Sequence, residues 1–561
     1  MVFTSDIGSR RGSGQQLEMD IMKIRTGSWR EWRVETVLLI ASLFISFAYN
    51  AEFWTAVRVH APGVGLHLAL FTMITAVHFV LLSILCNRWT LKLVLPLILM
   101  ISAAAAYFMQ QYTVYLDVDM LNNVLQTDAK ESRELLGLSM TSRIVLFGLL
   151  PSIAIGFVRL RKLPLGTAIA WRVAWAVLAV LVALGAALSV YQPLSSMMRN
   201  HKEIRYLVTP ANYLVGVTRI ITKDSRSRPR EMLGEDATLA PTPIGSKPRL
   251  LVMVVGETVR AQNWGLNGYQ RQTTPRLAQL DVISFQGTQA CGTATEVSLP
   301  CMFTPWGRRQ FDLDRMKHSQ SVLHVLERAG VQTFWIDNQS GCKGMCEGLP
   351  FESIQHVNQT TAHCTSKKGC YDSALLDRLQ TYLVSAPKGK DLVVVLHQLG
   401  NHGPSYYSRY PSQYKVYTPE CRSDELSACT SQQITNSYDN AIVATDAFLA
   451  DTIQYLSGVT DHDVALYYVS DHGESLGENG LYLHGLPYAI APETQKTVPM
   501  FMWFTPGFLN SRQLNEQCVR AKSTAPSSHD NVFHTVLGLM NVRSKVYERP
   551  WDLVGTCELK P

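Results

Sequence analysis

The segment Leu-Leu-Val-Met-Val-Val-Gly-Glu-Thr (residues 250–258) decides the fold of the C-terminal half of this 561-residue chain. Six apolar residues run without interruption into a glycine and a glutamate. An uninterrupted apolar run of this length predicts a β-strand that is buried on both faces, as in a parallel sheet covered by helices. The polar residues at its end predict that a functional edge of the sheet lies there.

Further runs of the same kind follow along the chain. They are Thr333–Ile336, Leu392–Leu396, Ala465–Val469 and Val498–Phe504. Helical patterns such as Gln320–Ala329 and Tyr438–Leu456 separate them. Residues 248–561 are therefore predicted to form an α/β domain with a mostly parallel sheet and helices on both faces.

Polar side chains follow three of these strands. In chain order they are Glu257, then His397 and His402, then Asp471 and His472, with His484 twelve residues further on. The carboxyl ends of parallel strands share one edge of a sheet, where ligands bind. One such motif alone is typical of a turn or a helix cap, but carboxylates and imidazoles at three strand ends predict a Zn²⁺ site.

A nucleophile for such a site is offered by Cys291-Gly-Thr-Ala-Thr-Glu-Val-Ser-Leu-Pro-Cys301, which carries hydroxyls at Thr293, Thr295 and Ser298. A hydroxyl beside Zn²⁺ at a helix N-terminus can act as a nucleophile, and the helix end favours an anionic phosphate. The alternative is that the two threonines only cap a helix. The spacing alone does not choose between these interpretations.

The N-terminal half has a different composition, and only 17% of the whole chain is charged. Apolar runs without Asp, Glu, Lys or Arg are Thr36–Ala51, Val59–Asn87, Leu93–Leu116 and Val173–Met198, with a shorter one at Ile144–Val158. A membrane-spanning helix needs roughly 20 mostly apolar residues, and these runs with their flanks supply them. We therefore predict a domain of five membrane-spanning helices.

The charges of the connecting segments predict the orientation of these spans. Basic residues cluster before the first span and between spans two and three and spans four and five, whereas the loop after span three is mainly acidic. The positive-inside rule then places the N-terminus in the cytoplasm and the C-terminal half outside. The predicted organisation is a cytoplasmic tail (1–33), a membrane domain (34–198), a connector with a surface helix near Tyr206–Ile221 (199–247) and an exported catalytic domain (248–561).

The distribution of the cysteines supports the export of the C-terminal half, because ten of the eleven lie beyond residue 290. An even number of exported cysteines predicts disulfides. Pairing of neighbours would join Cys291 to Cys301, Cys342 to Cys346, Cys364 to Cys370, Cys421 to Cys429 and Cys518 to Cys557, and leave Cys86 free. The sequence does not fix this connectivity, and a cysteine zinc site is the alternative for Cys342 and Cys346. A net charge of only +6, without a Lys/Arg-rich run, argues against a nucleic-acid partner.

Several segments together resemble the lipid A phosphoethanolamine transferases, which include mobile colistin-resistance enzymes and belong to the alkaline phosphatase/sulfatase superfamily. The segments are Gly-Glu-Thr-Val-Arg-Ala-Gln-Asn (256–263), Leu-Asn-Gly-Tyr (266–269), Cys-Gly-Thr-Ala-Thr (291–295), His-Gln-Leu-Gly-Asn-His-Gly-Pro (397–404) and Ser-Asp-His-Gly-Glu-Ser-Leu-Gly-Glu-Asn-Gly (470–480). One departure is that the family's Asn ahead of Gly-Cys-Lys has no clear counterpart in Asn338-Gln-Ser-Gly341.

The resemblance implies roles for individual residues. The zinc ligands would be Glu257, Thr295, Asp471 and His472, with Thr295 as the nucleophile. Lys343, His402 and His484 would act in catalysis and bind the phosphoethanolamine phosphate or a second zinc ion. Asn123, Thr127 and Glu131, spaced to share one helix face, would bind the donor.

The resemblance also implies a reaction and a place in the cell. Phosphoethanolamine would pass from phosphatidylethanolamine to Thr295 and then to lipid A, which would confer polymyxin resistance. The protein would be a monomer in a bacterial inner membrane with its catalytic domain in the periplasm. The alternatives are a lipoteichoic-acid-type glycerol-phosphate transferase and a non-catalytic membrane receptor. A sulfatase would need Cys/Ser-x-Pro-x-Arg, which Cys291-Gly-Thr-Ala-Thr does not match.

Overall fold

The computed structural model describes the chain from residue 31 to residue 559, with gaps. The described residues are 31–60, 63–112, 114, 116, 120–121, 124, 137–191, 194, 202–224, 230–355, 363–365, 369–424 and 426–559. The chain divides into two compact units. The first comprises Met1–Tyr107 and Met140–Ala211, and the second comprises Phe108–Ser139 and Asn212–Pro561.

The first unit is helical. Its helices are α1 (Val34–Ala48), α2 (Ala51–His60), α3 (Val64–Leu85), α4 (Leu91–Tyr112, which ends in the second unit), α5 (Leu138–Phe157, which begins there) and α6 (Leu165–Ser189). Helices α3 to α6 are each long and apolar enough to cross a membrane, and α1 with α2 would form a fifth span bent by 57°. This agrees with the predicted five-span region. The short fourth run gains its length by starting at Leu138.

The break between α1 and α2 is a feature that the apolar run 36–51 did not predict. Asn50 lies at the break and is fully buried. Its amide nitrogen donates to the carbonyl oxygens of Ile45 and Thr209 at 2.9 and 3.0 Å, and its amide oxygen accepts from the Thr209 N–H at 2.8 Å. One buried side chain thus joins the end of α1 to the backbone of the distant Thr209. After it, the predicted connector helix is a short 3-10 turn (Lys202–Leu207) followed by α7 (Ala211–Asp224).

The second unit is built on a seven-stranded sheet. Its strands are β1 (Arg249–Gly256), β2 (Ile283–Gln289), β3 (Gln332–Asp337), β4 (Phe351–Ser353), β5 (Leu392–His397), β6 (Asp463–Ser470) and β7 (Thr497–Phe504). The order across the sheet is β2-β7-β6-β1-β5-β3-β4. Strands β6, β1, β5, β3 and β4 run parallel, and β7 is antiparallel to β6 and to β2. The predicted mostly parallel sheet is confirmed, whereas the edge strands β2 and β4 were not predicted.

Both faces of the sheet are covered, as the uninterrupted apolar strands predict. Leu251, Met253 and Val255 of β1 lie in one apolar cluster, and the alternate residues Leu250, Val252 and Val254 lie in another. The helices of this unit are α8 (Thr295–Met302), α9 (Leu313–Lys317), α10 (Val322–Arg328), α11 (Ser373–Ser385), α12 (Ser431–Ser457), α13 (Glu493–Lys496), α14 (Pro506–Arg512), α15 (Glu516–Lys522) and α16 (Val532–Leu539).

The structure contains the five disulfides that neighbour pairing predicts. They are Cys291–Cys301, Cys342–Cys346, Cys364–Cys370, Cys421–Cys429 and Cys518–Cys557. The alternative of a cysteine zinc site at Cys342 and Cys346 is wrong, since the two sulfurs are bonded to each other. Among the described residues, which include all eleven cysteines, Cys86 is free and buried.

Candidate active site

The register of β1 and β6 brings Glu257, Asp471 and His472 together. The two strands are parallel neighbours with Gly256 opposite Ser470, so that the residues that follow each strand meet at one edge. All three side chains are fully buried. The His472 Nε2 atom lies 3.5 Å from Glu257 Oε1 and 3.4 Å from Asp471 Oδ2.

Asp471 has one oxygen fixed by the backbone and one directed elsewhere. Its Oδ1 accepts from the backbone N–H groups of Thr258 and His472, at 3.0 and 2.7 Å. Its Oδ2 is buried and has no hydrogen-bond partner among the described residues. A buried carboxylate oxygen without a donor is costly unless it has another partner, and a cation is the natural one.

The tautomer of His472 is also fixed by a backbone group. Its Nδ1 lies 2.9 Å from the carbonyl oxygen of Gly473, which can only accept, and therefore Nδ1 carries the proton. In the neutral ring, Nε2 then offers a lone pair towards the two carboxylates. A backbone carbonyl that orients a histidine in this manner is common around metal sites.

Thr295 is the first residue of α8, and its hydroxyl points into this cluster. Thr295 Oγ1 donates to Glu257 Oε2 at 3.1 Å and lies 3.4 Å from His472 Nε2. Thr293 instead donates to the carbonyl oxygen of Leu486 at 2.6 Å. Helix α8 has Ala294 at its N-cap and no side-chain cap. The helix-cap interpretation is therefore wrong for both threonines, and only Thr295 reaches the carboxylates.

A buried histidine ties the start of the Thr295 loop to the end of β6. His529 Nδ1 accepts from the Cys291 N–H at 3.1 Å, and its Nε2 donates to the Ser470 carbonyl oxygen at 2.9 Å. The Cys291–Cys301 disulfide then holds the two ends of the loop and helix that carry Thr295 together. Burial lowers the pKa of His529 to about 4, so the ring bridges these elements in its neutral form.

The electrostatics of the cluster favour an added cation. The Glu257 carboxyl is buried, which opposes its ionisation, but three neighbouring imidazole rings outweigh burial and lower its pKa. Burial, and then the facing Glu257, raises the pKa of Asp471. For His472, burial lowers the pKa, but the two carboxylates outweigh it and raise the value. Two carboxylates that face each other attract positive charge, whether a proton or a metal ion.

This donor set fits Zn²⁺. The ligand atoms of Glu257, Asp471 and His472 lie within 4.8 Å of one another, and the Thr295 hydroxyl is a fourth donor beside them. Carboxylate oxygen and imidazole nitrogen are donors that zinc accepts, and catalytic zinc sites use three or four of them. The orphaned Asp471 Oδ2 is the structural observation that agrees best with a cation in this place.

His402 and His484 lie beside the same cluster. The His484 ring is 4.3 Å from the His472 ring and 5.6 Å from the His402 ring, between centroids. His484 Nδ1 lies 2.8 Å from Glu474 Oε2, and Glu474 Oε1 accepts from the Tyr406 hydroxyl at 2.7 Å. His472, Glu474 and His484 thus form a second group that could hold a metal ion. Burial raises the pKa of Glu474 to about 8.

Lys343 approaches the helix of Thr295 from the disulfide loop 342–346. Its ammonium group donates to Ser340 Oγ at 2.7 Å and lies 3.9 Å from Glu296 Oε2, one residue after Thr295. The Lys343 side chain is only 6% exposed. A buried ammonium group beside the first turn of α8 is suited to an anionic phosphate.

Two site residues were missed by the sequence analysis. Gln339 donates to Glu257 Oε2 at 2.8 Å, and Glu474 orients His484. Gln339 follows the end of β3, and this position at the sheet edge was the signal that could have found it. The predicted donor residues Asn123, Thr127 and Glu131 lie outside the described residues.

The chain is similar to known proteins over most of its length. A family profile described as sulfatase matches residues 249–542, and one described as phosphoethanolamine transferase EptA/EptB matches residues 74–225. The phosphoethanolamine transferase EptA of Escherichia coli K12 is 36% identical over 530 residues, which are 93% of this chain and 96% of that protein. The phosphatidylethanolamine transferase Mcr-1 of Escherichia coli is 37% identical over 498 residues, 86% of this chain and 92% of that protein.

A solved structure extends the likeness to both units. The integral membrane protein lipooligosaccharide phosphoethanolamine transferase A (EptA) from Neisseria meningitidis matches with a TM-score of 0.89 and 36% identity. The match covers 95% of this chain and all of that one.

Proposed function

We propose, from the premise that this chain belongs to the phosphoethanolamine transferase family, that it transfers phosphoethanolamine from phosphatidylethanolamine to a phosphate of lipid A by way of Thr295. The observation that carries the proposal is the contact of the Thr295 hydroxyl with the buried Glu257 carboxylate. A hydroxyl in this position can lose its proton and attack phosphorus.

Zn²⁺, held by Glu257, Thr295, Asp471 and His472, would supply positive charge that favours the threonine alkoxide and the charge on the phosphate oxygens. In the first displacement, Thr295 Oγ forms a bond to the phosphorus of phosphatidylethanolamine, and the bond from phosphorus to the diacylglycerol oxygen breaks. His402 or His484 takes the proton of the Thr295 hydroxyl and gives it to the leaving diacylglycerol oxygen. Phosphoethanolamine remains on Thr295.

In the second displacement, a phosphate oxygen of lipid A attacks the phosphorus, and the bond to Thr295 Oγ breaks. The proton of the lipid A phosphate passes through the same histidine to the threonine oxygen. The ammonium group of Lys343 offsets the negative charge of the transferred phosphate in both steps. Glu474 and Tyr406 keep His484 in one orientation, as their hydrogen bonds indicate. The ethanolamine ammonium group makes lipid A less negative, which lowers its attraction for cationic polymyxins, and we propose that the chain confers resistance in this way.

The location of the reaction is part of the proposal. Residues 34–198 would hold the chain in a bacterial inner membrane, with 1–33 in the cytoplasm and 248–561 in the periplasm. Both lipid substrates are confined to membranes, and a membrane anchor holds the active site near them, which raises their effective concentration. Asn123, Thr127 and Glu131 would bind the donor, and a second zinc ion near His472, Glu474 and His484 would be compatible with the donors there.

Mass spectrometry of lipid A from cells that express the chain tests this proposal. Wild type should add one phosphoethanolamine, and Thr295→Ala should add none at equal membrane abundance. Thr295→Ser should keep partial activity, because the hydroxyl remains but the methyl group that restricts χ1 is lost. Thr293→Ala is the matched control and should keep the modification. Unmodified lipid A from wild type, or full modification by Thr295→Ala, would reject the proposal.

A further inference from the structure

Asp372 occupies the position before helix α11, where an aspartate ordinarily caps its own helix. Here its side chain makes no capping hydrogen bond. Its Oδ1 accepts instead from the Leu399 N–H and from the Asn338 side-chain amide, both at 2.8 Å. Its Oδ2 accepts from the Gly400 N–H at 2.9 Å and from the Gln398 side-chain amide at 3.2 Å.

Three of these four donors lie in one segment of the chain. Leu399, Gly400 and Gln398 belong to the loop that follows β5, and this loop leads directly to His402. All four donors are neutral, and together they use both oxygens of an ionised carboxylate, which can only accept. Part of the residue is exposed, but burial of its carboxyl raises the pKa of Asp372 while the four hydrogen bonds favour the ionised form.

The same loop also contacts the backbone of Glu257. The Asn401 N–H donates to the Glu257 carbonyl oxygen at 3.0 Å. Gly400 has a φ of +51°, and a Cβ atom there would lie 2.6 Å from that carbonyl oxygen. Only a residue without a side chain fits this approach. The loop is therefore held between the Asp372 carboxylate and the backbone of Glu257.

We propose that Asp372 is a positioning residue of the transferase reaction, which fixes the loop 398–402 and through it the ring of His402 beside that of His484. This inference rests on the proposed function, because it assigns His402 a part in the transfer. A carboxylate is required, since an asparagine side chain at this position would turn one of its donors towards a loop N–H.

The first test is hydrogen exchange with mass spectrometry on the full-length protein in detergent micelles. In Asp372→Asn, amides of the peptide 398–402 should exchange at least about tenfold faster, because two lose an ionised acceptor. Asp377→Asn is the matched control. Asp377 is an exposed aspartate on helix α11 itself. Unchanged exchange of the 398–402 peptide in Asp372→Asn, or equal acceleration there in the control, would overturn the proposal.

The second test is a double-mutant cycle on the rate of transfer from a fluorescent phosphatidylethanolamine analogue. Asp372→Asn should lower kcat by about 10²-fold, the cost of a small misplacement, with a much smaller change in KM. Combined with His402→Ala, the loss should be no larger than that of His402→Ala alone. The control Asp377→Asn should combine additively with His402→Ala. Additive losses for Asp372→Asn would overturn the positioning role, whereas the absence of transfer by wild type would reject the proposed function itself.

Discussion

Buried charges are arranged in opposite ways at the two ends of the central strands. At the amino end of β1, the fully buried Arg249 donates to Asp391 through its backbone N–H, Nε and Nη2, at 2.7, 3.1 and 2.6 Å. At the carboxyl ends of β1 and β6, the buried carboxylates Glu257 and Asp471 share one site, and Asp471 Oδ2 has no partner among the described residues. The amino end holds an ion pair of opposite charges, whereas the carboxyl end places two carboxylates together and leaves one of their oxygens open to a cation.

This difference separates stability from function within a single sheet. A compensated pair at the amino end should matter for folding and be indifferent to metal. The like charges at the carboxyl end should weaken the metal-free protein and become favourable when a cation binds. Substitutions at the two ends should therefore have different signatures.

The largest expected effect is that of Asp471→Asn. This variant should bind no zinc and transfer no phosphoethanolamine, because it removes one ligand from a site that needs all of its donors. A metal at 10³ times its Kd stabilises a protein by about 4 kcal/mol. A chelator should therefore lower the Tm of wild type but leave that of Asp471→Asn unchanged.

Asp463→Asn is the control for this prediction, since Asp463 begins β6 at the opposite end of the same strand. It should keep both zinc content and the response to chelator. Zinc bound to Asp471→Asn at the wild-type stoichiometry would contradict the assignment of this carboxylate as a ligand.

At the amino end, Arg249→Met should destabilise the protein without changing its metal content. Removal of one partner leaves the Asp391 charge buried and uncompensated, which costs about 3–5 kcal/mol. Denaturant unfolding in micelles should show this loss, while zinc per folded molecule stays at the wild-type value. Arg276→Met breaks a half-exposed pair with Asp451 and should cost less than about 1 kcal/mol. Equal costs for the two variants would show that burial of the Arg249 pair is not important.

The two ends of the sheet should also differ in how stability depends on pH. The carboxyl end carries His529, whose neutral ring bridges the backbone of Cys291 and Ser470. Burial lowers its pKa from the ordinary 6.5 to about 4. Between these values the unfolded chain takes up a proton that the folded protein does not, so stability falls as the pH drops from about 6.5 to about 4. The full loss is roughly 3 kcal/mol. His529→Gln should lack this part of the pH dependence when the free energy of unfolding is measured from pH 7 to pH 4. Parallel plots of this free energy against pH for wild type and His529→Gln would show that His529 is not a neutral bridge.

The smallest expected effect is that of Thr293→Ala. The loss of its hydrogen bond to Leu486 should cost about 1 kcal/mol of stability. Transfer should remain within a few-fold of wild type, because the Thr293 hydroxyl does not reach the carboxylates. A loss of transfer as large as that of Thr295→Ala would place the chemistry on both hydroxyls.

The sequence predicted the parallel strands well because their signal is local. Uninterrupted apolar runs such as Leu250–Val255 and Ala465–Val469 need no knowledge of the fold to be recognised. The polar residues directly after them, Glu257, Asp471 and His472, were found for the same reason. The antiparallel direction of β7 and the edge strands β2 and β4 were not predicted. Strand β2, with its polar alternate residues and Gly287 at a φ of +68°, has little apolar signal.

Other parts of the site depend on contacts that a linear pattern does not contain. Whether Thr293 or Thr295 reaches Glu257 depends on where α8 begins, and the residues alone left that choice open. Gln339 and Asp372 act through loops that meet only in the folded sheet. The break at Asn50 depends on the distant Thr209 backbone, which an apolar run does not indicate.

The most direct test of the account is the identification of the residue that carries phosphoethanolamine. Purified full-length protein would be incubated with phosphatidylethanolamine without lipid A, digested and analysed by mass spectrometry. We expect one phosphoethanolamine on the peptide that contains Thr295, with fragment ions that place it on Thr295, and none in Thr295→Ala. An adduct on Thr293 or Ser298, or one that persists in Thr295→Ala, would contradict it.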